Sequence, residues 1–382
     1  MKKFLSILGV LLILGCEPFV TEFKDLSDAV PYEANSKSNA TYDSGNVKVV
    51  TWNIRFGIAR FPFFGDSCGD DVILDDDTIE KNMAAIADSL NAIDADIVLL
   101  QEVDVSSKRT GYMDQVQYLL DNTNLNYGCY ASMWKADFIP SDGIGRIDAG
   151  NAILSKYELT DAERIQLRLR TDQDGLTQYF YLRRNILKAK IPTLTQGSKD
   201  FYAVDVHATA FATDDTKQQH IDKYVETLAE IQSSGDYFVT GGDLNSVPPG
   251  SVIDFCDSDK CPGEKYEDEN GNEIDYHSID SLTSGPHKEG AYFNNFDGER
   301  DLLLPLYEVY DSAIDSDEAN LSIHLTHGPS TSYEMNDIKY DRKLDYLFTN
   351  GIWENTLSKT HQAAWELSDH LPVSAVLNVG GE

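Results

Sequence analysis

From Val47 onward, short apolar runs stop abruptly at a polar or acidic residue: VKVVTWN, ADIVLLQE, FYAVDVH, YFVTGGDLN, KLDYLF and DHLPVSAVL. Short β-branched runs bounded by turn residues predict buried strands. Between them the period changes. Within 78–93, Ile79, Met83, Ile86, Leu90 and Ile93 recur at spacings of four and three, and within 216–232 Ile221, Tyr224, Leu228 and Ile231 do the same. Each set forms one apolar face of a helix. Strands alternating with helices predict an α/β protein in which helices cover sheets. No internal repeat is present. The segment 255–300 is rich in Asp, Glu, Gly and Asn and reads as a long insertion, which is either functional or mobile. Residues 17–45 are polar and aperiodic, include Asn35-Ser36-Lys37-Ser38-Asn39, and read as a flexible tether.

The N-terminus changes the picture of where this domain works. Met1-Lys2-Lys3 precedes an apolar run from Phe4 to Gly15, which ends at Cys16. A basic start and a short apolar core make a secretory signal, too short to span a bilayer comfortably. The ending Leu14-Gly15-Cys16 resembles a lipoprotein signal, so residues 1–16 are expected to be the signal with Cys16 as the lipidated residue. On that expectation the chain sits at the cell envelope, as an outer-membrane or cell-surface lipoprotein held to the membrane by its lipid and facing the periplasm or the exterior; an ordinary signal peptide cleaved nearby, or a retained anchor, is the alternative. Four further cysteines, Cys68, Cys129, Cys256 and Cys261, permit two disulfides in an exported protein. Cys256 and Cys261 lie close in a polar loop and can pair, which leaves Cys68–Cys129. No Cys/His cluster suggests zinc.

With 382 residues the chain can bury a large core. Lys+Arg 31 against Asp+Glu 64 gives a formal net charge of -33. Such a field repels polyanions, so nucleic acid is disfavoured as a partner without a local basic groove. Phosphate chemistry is still open, because a bound divalent cation reverses the field locally.

The candidate chemistry sits where the apolar runs end: Asn53, Glu102, His207, Asp243 with Asn245, and Asp369 with His370. Strands in packed sheets place their ends on common edges, so these residues can meet in one cleft. No cysteine nucleophile, Gly-rich phosphate loop or GxSxG elbow competes with them. Oxygen ligands without thiols suit a hard cation, Mg²⁺ first, with Mn²⁺ or Ca²⁺ as alternatives. Glu102 and Asp369 would suffice, with help from Asn53.

The ordered set VVTWNIRFG, LLQEVD, DAGNAILSK, VDVHATAF, TGGDLNS, RKLDYLF and LSDHLPVSAVL resembles the endonuclease/exonuclease/phosphatase superfamily from about Val47 to Val379. The resemblance implies a domain over 46–382 built as a four-layer sandwich, two packed mixed β-sheets flanked by helices, with the site at one edge. It implies metal-dependent hydrolysis of a phosphodiester or phosphomonoester by water. Glu102 would be the principal metal ligand, with Asn53 in the metal shell and Asp369 a second or water-bridged ligand. Asp243 would orient the attacking water, and Asn245 would hydrogen-bond the developing phosphorane. His370 would be base or phosphate stabiliser, oriented by Asp345. His207 would donate to the phosphate or leaving group, as in the deoxyribonuclease and sphingomyelinase branches; a structural strand histidine is the alternative. Asn151 would hold the architecture or touch substrate. Arg184, or its neighbour Arg183, would contact a phosphate or form a structural ion pair.

The substrate is left open among lipid head groups, sugar or inositol phosphates, nucleotides and DNA. Phe61, Phe63 and Phe64, in the segment 56–74, form either an exposed aromatic tip or a packed loop. Two other readings stand beside the phosphoesterase: a noncatalytic binding lipoprotein that retains the fold, and a secreted-type nuclease.

Overall fold

The computed structural model describes residues 19–39, 45–64, 69–140, 143–210, 212–251, 265–275, 301–328 and 340–379. In chain order the strands begin with β1 (Leu26–Asp28), β2 (Val30–Glu33), β3 (Asn46–Asn53), β4 (Ile97–Asp104), β5 (Tyr127–Ile139) and β6 (Gly145–Ser155). They continue with β7 (Thr160–Gln166), β8 (Asn185–Lys190), β9 (Phe201–His207), β10 (Tyr237–Asp243), β11 (Lys265–Glu267) and β12 (Glu273–Asp275). The last are β13 (Asp311–Ser312), β14 (Asp345–Thr349), β15 (Lys359–Thr360) and β16 (Val373–Asn378). The helices are α1 (Asp76–Ile93), α2 (Gln115–Asn122), α3 (Gly175–Phe180), α4 (Thr216–Ser233) and α5 (Leu304–Val309).

Two 7-stranded mixed sheets result, in the orders β15-β16-β3-β4-β6-β5-β2 and β1-β7-β8-β9-β10-β14-β13, while β11 and β12 pair only with each other. The first sheet packs its outer face on α1 and α2 through Trp52, Leu100, Met83, Ile86 and Leu119. The second packs on α4 and α5 through Val204, Phe238, Tyr224, Leu228 and Leu306. Between the sheets lie Val47, Val49, Ile97, Leu99, Ile153, Leu187, Ala203, Val239, Leu347 and Ala375. The four-layer α/β sandwich expected from the motifs is therefore the fold. Asp75 caps α1, its side chain accepting from Thr78 N.

The alternation of strand side chains positions the site. Successive residues point to opposite faces, so a stripe that faces the other sheet can be followed to its end. In β9 that stripe runs Phe201, Ala203, Asp205, His207, and in β3 it runs Val47, Val49, Thr51, Asn53. The inward stripes of five further strands also turn polar toward that edge: Gln101 in β4, Asn151 in β6, Asn185 in β8, Asp243 in β10, Asp345 in β14. β3 and β4 run parallel, as do β9 and β10, so their C-terminal ends share this edge. Gly242 makes close approach possible there: its φ is 141°, and a Cβ at this position would stand only 1.8 Å from Val206 O.

Two expectations need correction. The segment 17–45 is not a flexible tether over its described part, 19–39. β1 pairs with β7 and β2 with β5, Val20 bridges Ala136, and Glu22 binds Arg183 at 2.5 Å. Edge strands offer unpaired backbone groups, which is why an aperiodic polar segment is ordered here. The Cys68–Cys129 disulfide is not formed: Cys129 is a free thiol, 1% exposed, facing the inter-sheet core. Cys16, Cys68, Cys256, Cys261 and the insertion outside 265–275 lie outside the described residues. No helix among the described residues is long and apolar enough to cross a membrane.

The seam between the sheets holds one buried acid beneath the site. Gln101 Nε2 donates to Asp205 Oδ1 at 2.6 Å, and both residues are 0% exposed. Gln101 Oε1 and Asp205 Oδ2 have no partner among the described residues. A proton on Asp205 would remove the charge from a carboxyl that has only one of its oxygens paired. Burial indeed pushes the Asp205 carboxyl well above its usual range. A raised acid favours the fold fully below its unfolded value, about 3.9, and loses that contribution as pH rises toward its folded value. Asp205→Asn can keep the bond from Gln101 Nε2 through its own Oδ1 without a proton to lose. Denaturant unfolding of this variant should show a flatter stability profile between acid and mildly alkaline pH and higher stability at the alkaline end. Equal pH slopes in parent and variant would contradict a protonated Asp205.

Candidate active site

Asp243, at the end of β10, is the centre of the polar edge. Its Oδ2 accepts from Asn53 Nδ2 at 3.1 Å and lies 3.2 Å from His207 Nε2 and 3.7 Å from His370 Nε2. Its Oδ1 accepts from Asn245 N at 2.9 Å. Burial would raise this carboxyl, but His370 and His207 outweigh it and hold Asp243 well below the usual carboxylate range. Asn245 takes a left-handed φ of 46° and donates its amide to Ala208 O at 3.1 Å.

The two histidines are driven apart. His370 Nδ1 lies 2.8 Å from Asp345 Oδ2, an acid that is 0% exposed. Burial alone would lower His370, yet Asp345 and Asp243 raise it to about 10, so it stands as an imidazolium at neutral pH. His207 is lowered to about 4 by burial and by Arg184, and is neutral. Its Nε2–H is directed at Asp243, which places Nδ1 as the acceptor nitrogen.

Glu102 reaches the same space by breaking the strand. A bulge interrupts the β4–β6 register between Leu100 and Val103, and Glu102 sits in it with φ 56°. A non-glycine residue in the left-handed region costs about 1–3 kcal/mol, and such strain collects at functional sites. Here it turns toward the cleft a side chain that alternation would send outward. Glu102 Oε1 is 3.8 Å from His207 Nε2. Burial, then the Asp369 carboxylate, raises Glu102 to about 7. Asp369 is lowered, because Arg55 and His370 outweigh its burial; Arg55 Nε is 3.5 Å from Asp369 Oδ2.

These contacts bring Asn53, Glu102, His207, Asp243, Asn245, Asp345, Asp369 and His370 into one cleft. Arg184 adds a cation on another side of the cleft: it is 7% exposed, and its Nε and Nη1 have no partner among the described residues. Arg183 instead binds Glu22, and its chemistry is structural. Asn151 is 0% exposed and donates to Asn185 O at 3.3 Å, so it braces β6 against β8. Phe63 is buried, with Phe61 and Phe64 packed beside the same core. Arg109, over the Phe56 ring at 3.4 Å and bonded to Asp104, holds that loop down.

Two residues to which the motifs assign no role join the site. Arg55 is one, two places after Asn53. Its N–H donates to Asn53 Oδ1 at 2.9 Å. His327 is another, bridging His370 with ring centroids 4.6 Å apart. It follows an aperiodic stretch, so nothing in the pattern marks it.

The oxygen donors fit a hard divalent cation. Two mutually repelling carboxylates, Glu102 and Asp369, face one cleft with the Asn53 amide beside them and no thiol. Two other groups have ligand atoms within 4.8 Å of one another, His327–Asp369–His370 and Asp243–Asp345–His370. Both require His370 as a neutral ligand, which its pairing with Asp345 opposes.

The family model described as "Endonuclease/Exonuclease/phosphatase family" matches residues 50–370. No curated protein matches the chain. Among solved structures, an endonuclease/exonuclease/phosphatase from Beutenbergia cavernae is 15% identical, covers 88% of this chain and 72% of its own, and superposes with a TM-score of 0.53. An endonuclease/exonuclease/phosphatase from Bacteroides vulgatus is 16% identical, with 87% and 98% covered and a TM-score of 0.47. The human Nocturnin catalytic domain is 15% identical, with 91% and 96% covered and a TM-score of 0.45.

A ligand carboxyl must lose its proton to bind a metal. Titration calorimetry of the full chain should therefore show Mg²⁺ affinity rising about tenfold per pH unit below Glu102's value of about 7, then levelling off. Glu102→Gln should remove that slope along with most of the affinity. A parent profile flat from pH 6 to 8 would rule Glu102 out as the titrating ligand.

Proposed function

The chain belongs to the endonuclease/exonuclease/phosphatase family, and on that premise we propose that it is a divalent-metal-dependent phosphoesterase of the cell envelope. The observation that carries this reading is geometric: His207 and His370 both approach the Asp243 carboxylate, at 3.2 and 3.7 Å, in one cleft beside the Glu102–Asp369 acid pair. Glu102 and Asp369, with Asn53, would hold Mg²⁺, Mn²⁺ or Ca²⁺. When bound, such an ion neutralises charge on a phosphate oxygen.

The chain's own groups divide the remaining work. Asp243 stays ionised and is too weak a base to deprotonate water early, so its role is to orient the attacking water. The His370 imidazolium, held by Asp345, presents Nε2–H to a phosphate oxygen. Its charge makes it a stabiliser rather than the general base. Asn245 adds a neutral donor to the developing phosphorane. His207 is positioned to share its Nε2–H between Asp243 and an incoming oxygen. Arg184 Nε and Nη1, which have no partner among the described residues, supply a further positive surface for an anion. Donors fixed in advance at a site of developing charge lower the barrier because they need no reorganisation.

The N-terminal pattern supports export with lipidation at Cys16, and hence a chain fixed to a membrane on the outer side of its translocation.

The purified full chain should hydrolyse bis-(p-nitrophenyl) phosphate with Mg²⁺ or Mn²⁺ and not after chelation. His370→Ala and Asp243→Ala should each lower kcat on the order of 10²–10³, with far-UV circular dichroism unchanged. Parental rates in either folded variant would sink the assignment.

A further inference from the structure

The edge that carries the cleft also carries a projecting apolar rim. Ser132 lies opposite Gly150, which is the level of Val103 beside Glu102. From there the β5–β6 hairpin continues outward to Phe138, about 20 Å at ~3.3 Å per residue, less what its bulges take up. Phe138 is 52% exposed and Phe19 is 51% exposed. The two belong to the same projection, since Thr21 N donates to Lys135 O and Asp137 N donates to Phe19 O. Neighbouring loops add Tyr112, 53% exposed, and Leu176, 70% exposed. Hydrogen bonds tie these loops to the hairpin: Lys108 Nζ to Gly143 O, and Trp134 Nε1 to Phe180 O. Exposed large side chains scattered singly need no explanation, but a set crowning one functional edge does.

The chain itself says what lies against this rim. Backward from Val20 it runs antiparallel to the outgoing β5, toward the hairpin tip, and Cys16 is three residues before Phe19. Three residues reach at most about 11 Å. A lipid on Cys16 therefore cannot stand far from Phe19 and Phe138, and the ordered strands that follow leave no long tether to let the domain swing away. The same rim bears Lys108, Arg146 and Lys135, of which Arg146 pairs with Asp137 and Lys135 with Asp148, in a chain of net charge -33. Basic and aromatic side chains together suit an anionic bilayer surface.

We propose that this rim is the face the domain rests on its membrane, and that the cleft beside it acts on a phosphate ester carried in the lipid headgroup layer. The inference rests on the phosphoesterase reading and on lipidation of Cys16. On a bilayer the hairpin aromatics enter the interface, the catalytic edge faces the lipid, and substrate arrives by lateral diffusion rather than from bulk water.

The full lipidated chain, reconstituted in phosphatidylglycerol/phosphatidylethanolamine vesicles with Mg²⁺, tests both halves. In a Phe138→Trp variant, the added emission should be quenched by brominated lipid; emission equal to that in unbrominated vesicles overturns the orientation. Parent protein should release phosphorylated head groups from the vesicles, and the Phe19→Ser/Phe138→Ser double variant should do so about tenfold or more slowly, while hydrolysing soluble bis-(p-nitrophenyl) phosphate at the parental rate. Soluble diester hydrolysis without headgroup release overturns the lipid substrate, equal release by the double variant overturns the role of the rim, and either result leaves the phosphoesterase standing. Failure on the soluble diester as well overturns both.

Discussion

A single buried anion organises this molecule's chemistry. Asp243 gathers an amide from β3, an imidazole from β9 and the backbone N–H of Asn245, and it faces the imidazole that precedes β16. Moving a carboxylate out of water costs several kcal/mol unless its oxygens are paired. Those pairs come from both sheets, so the site exists only if the sandwich closes in register. A one-residue slip in any of these strands would turn its polar tip to the helix side. The fold and the catalyst are one constraint, seen from the apolar and the polar end of the same inward stripes.

Around that anion, identical side chains are given different states by their neighbours. His207 and His370 both approach Asp243 Oδ2, yet one is lowered to about 4 and the other raised to about 10. The difference lies behind the rings. Asp345 stands at the back of His370, whereas the cation felt by His207 is Arg184. The carboxylates divide in the same way. Asp369 has Arg55 beside it and is lowered, while Glu102 has no cation in hydrogen-bonding reach among the described residues and is raised. Glu102 is thus the acid with most to gain from a divalent ion.

Most of this was legible because strand ends are legible. An apolar run that stops or starts at an acid, amide or histidine marks both the strand and its functional tip, which is how Glu102, His207, Asp243 and, ahead of its strand, His370 can be named from the residues alone. What the pattern hides is whatever depends on tertiary pairing. The polar segment 19–39 is ordered only because two sheets have free edges for it. Cys129 looked like a disulfide partner because parity counts cysteines, whereas its inward position in β5 is set by alternation. Arg55 and His327 act through a left-handed backbone and an isolated bridge, neither of which leaves a period in the sequence.

The net charge of -33 stands against a phosphate ester as substrate, and the geometry shows why the conflict is local. The carboxylates that repel an anion at long range lie mostly in solvent, where a Debye length of about 8 Å at physiological salt confines their reach. Within the cleft the sum is different. His370, Arg55 and Arg184 face or flank Asp243, Asp369 and Glu102, and a divalent ion at the latter two acids would make the pocket cationic. The acidic exterior still slows the approach of a soluble polyanion, because steering acts before contact. An ester that is already concentrated beside the cleft does not cross that field. The charge distribution therefore disfavours long nucleic acid while leaving a compact, locally presented phosphate unpenalised, and the lipid anchor proposed at Cys16 would be a physical means of presenting one.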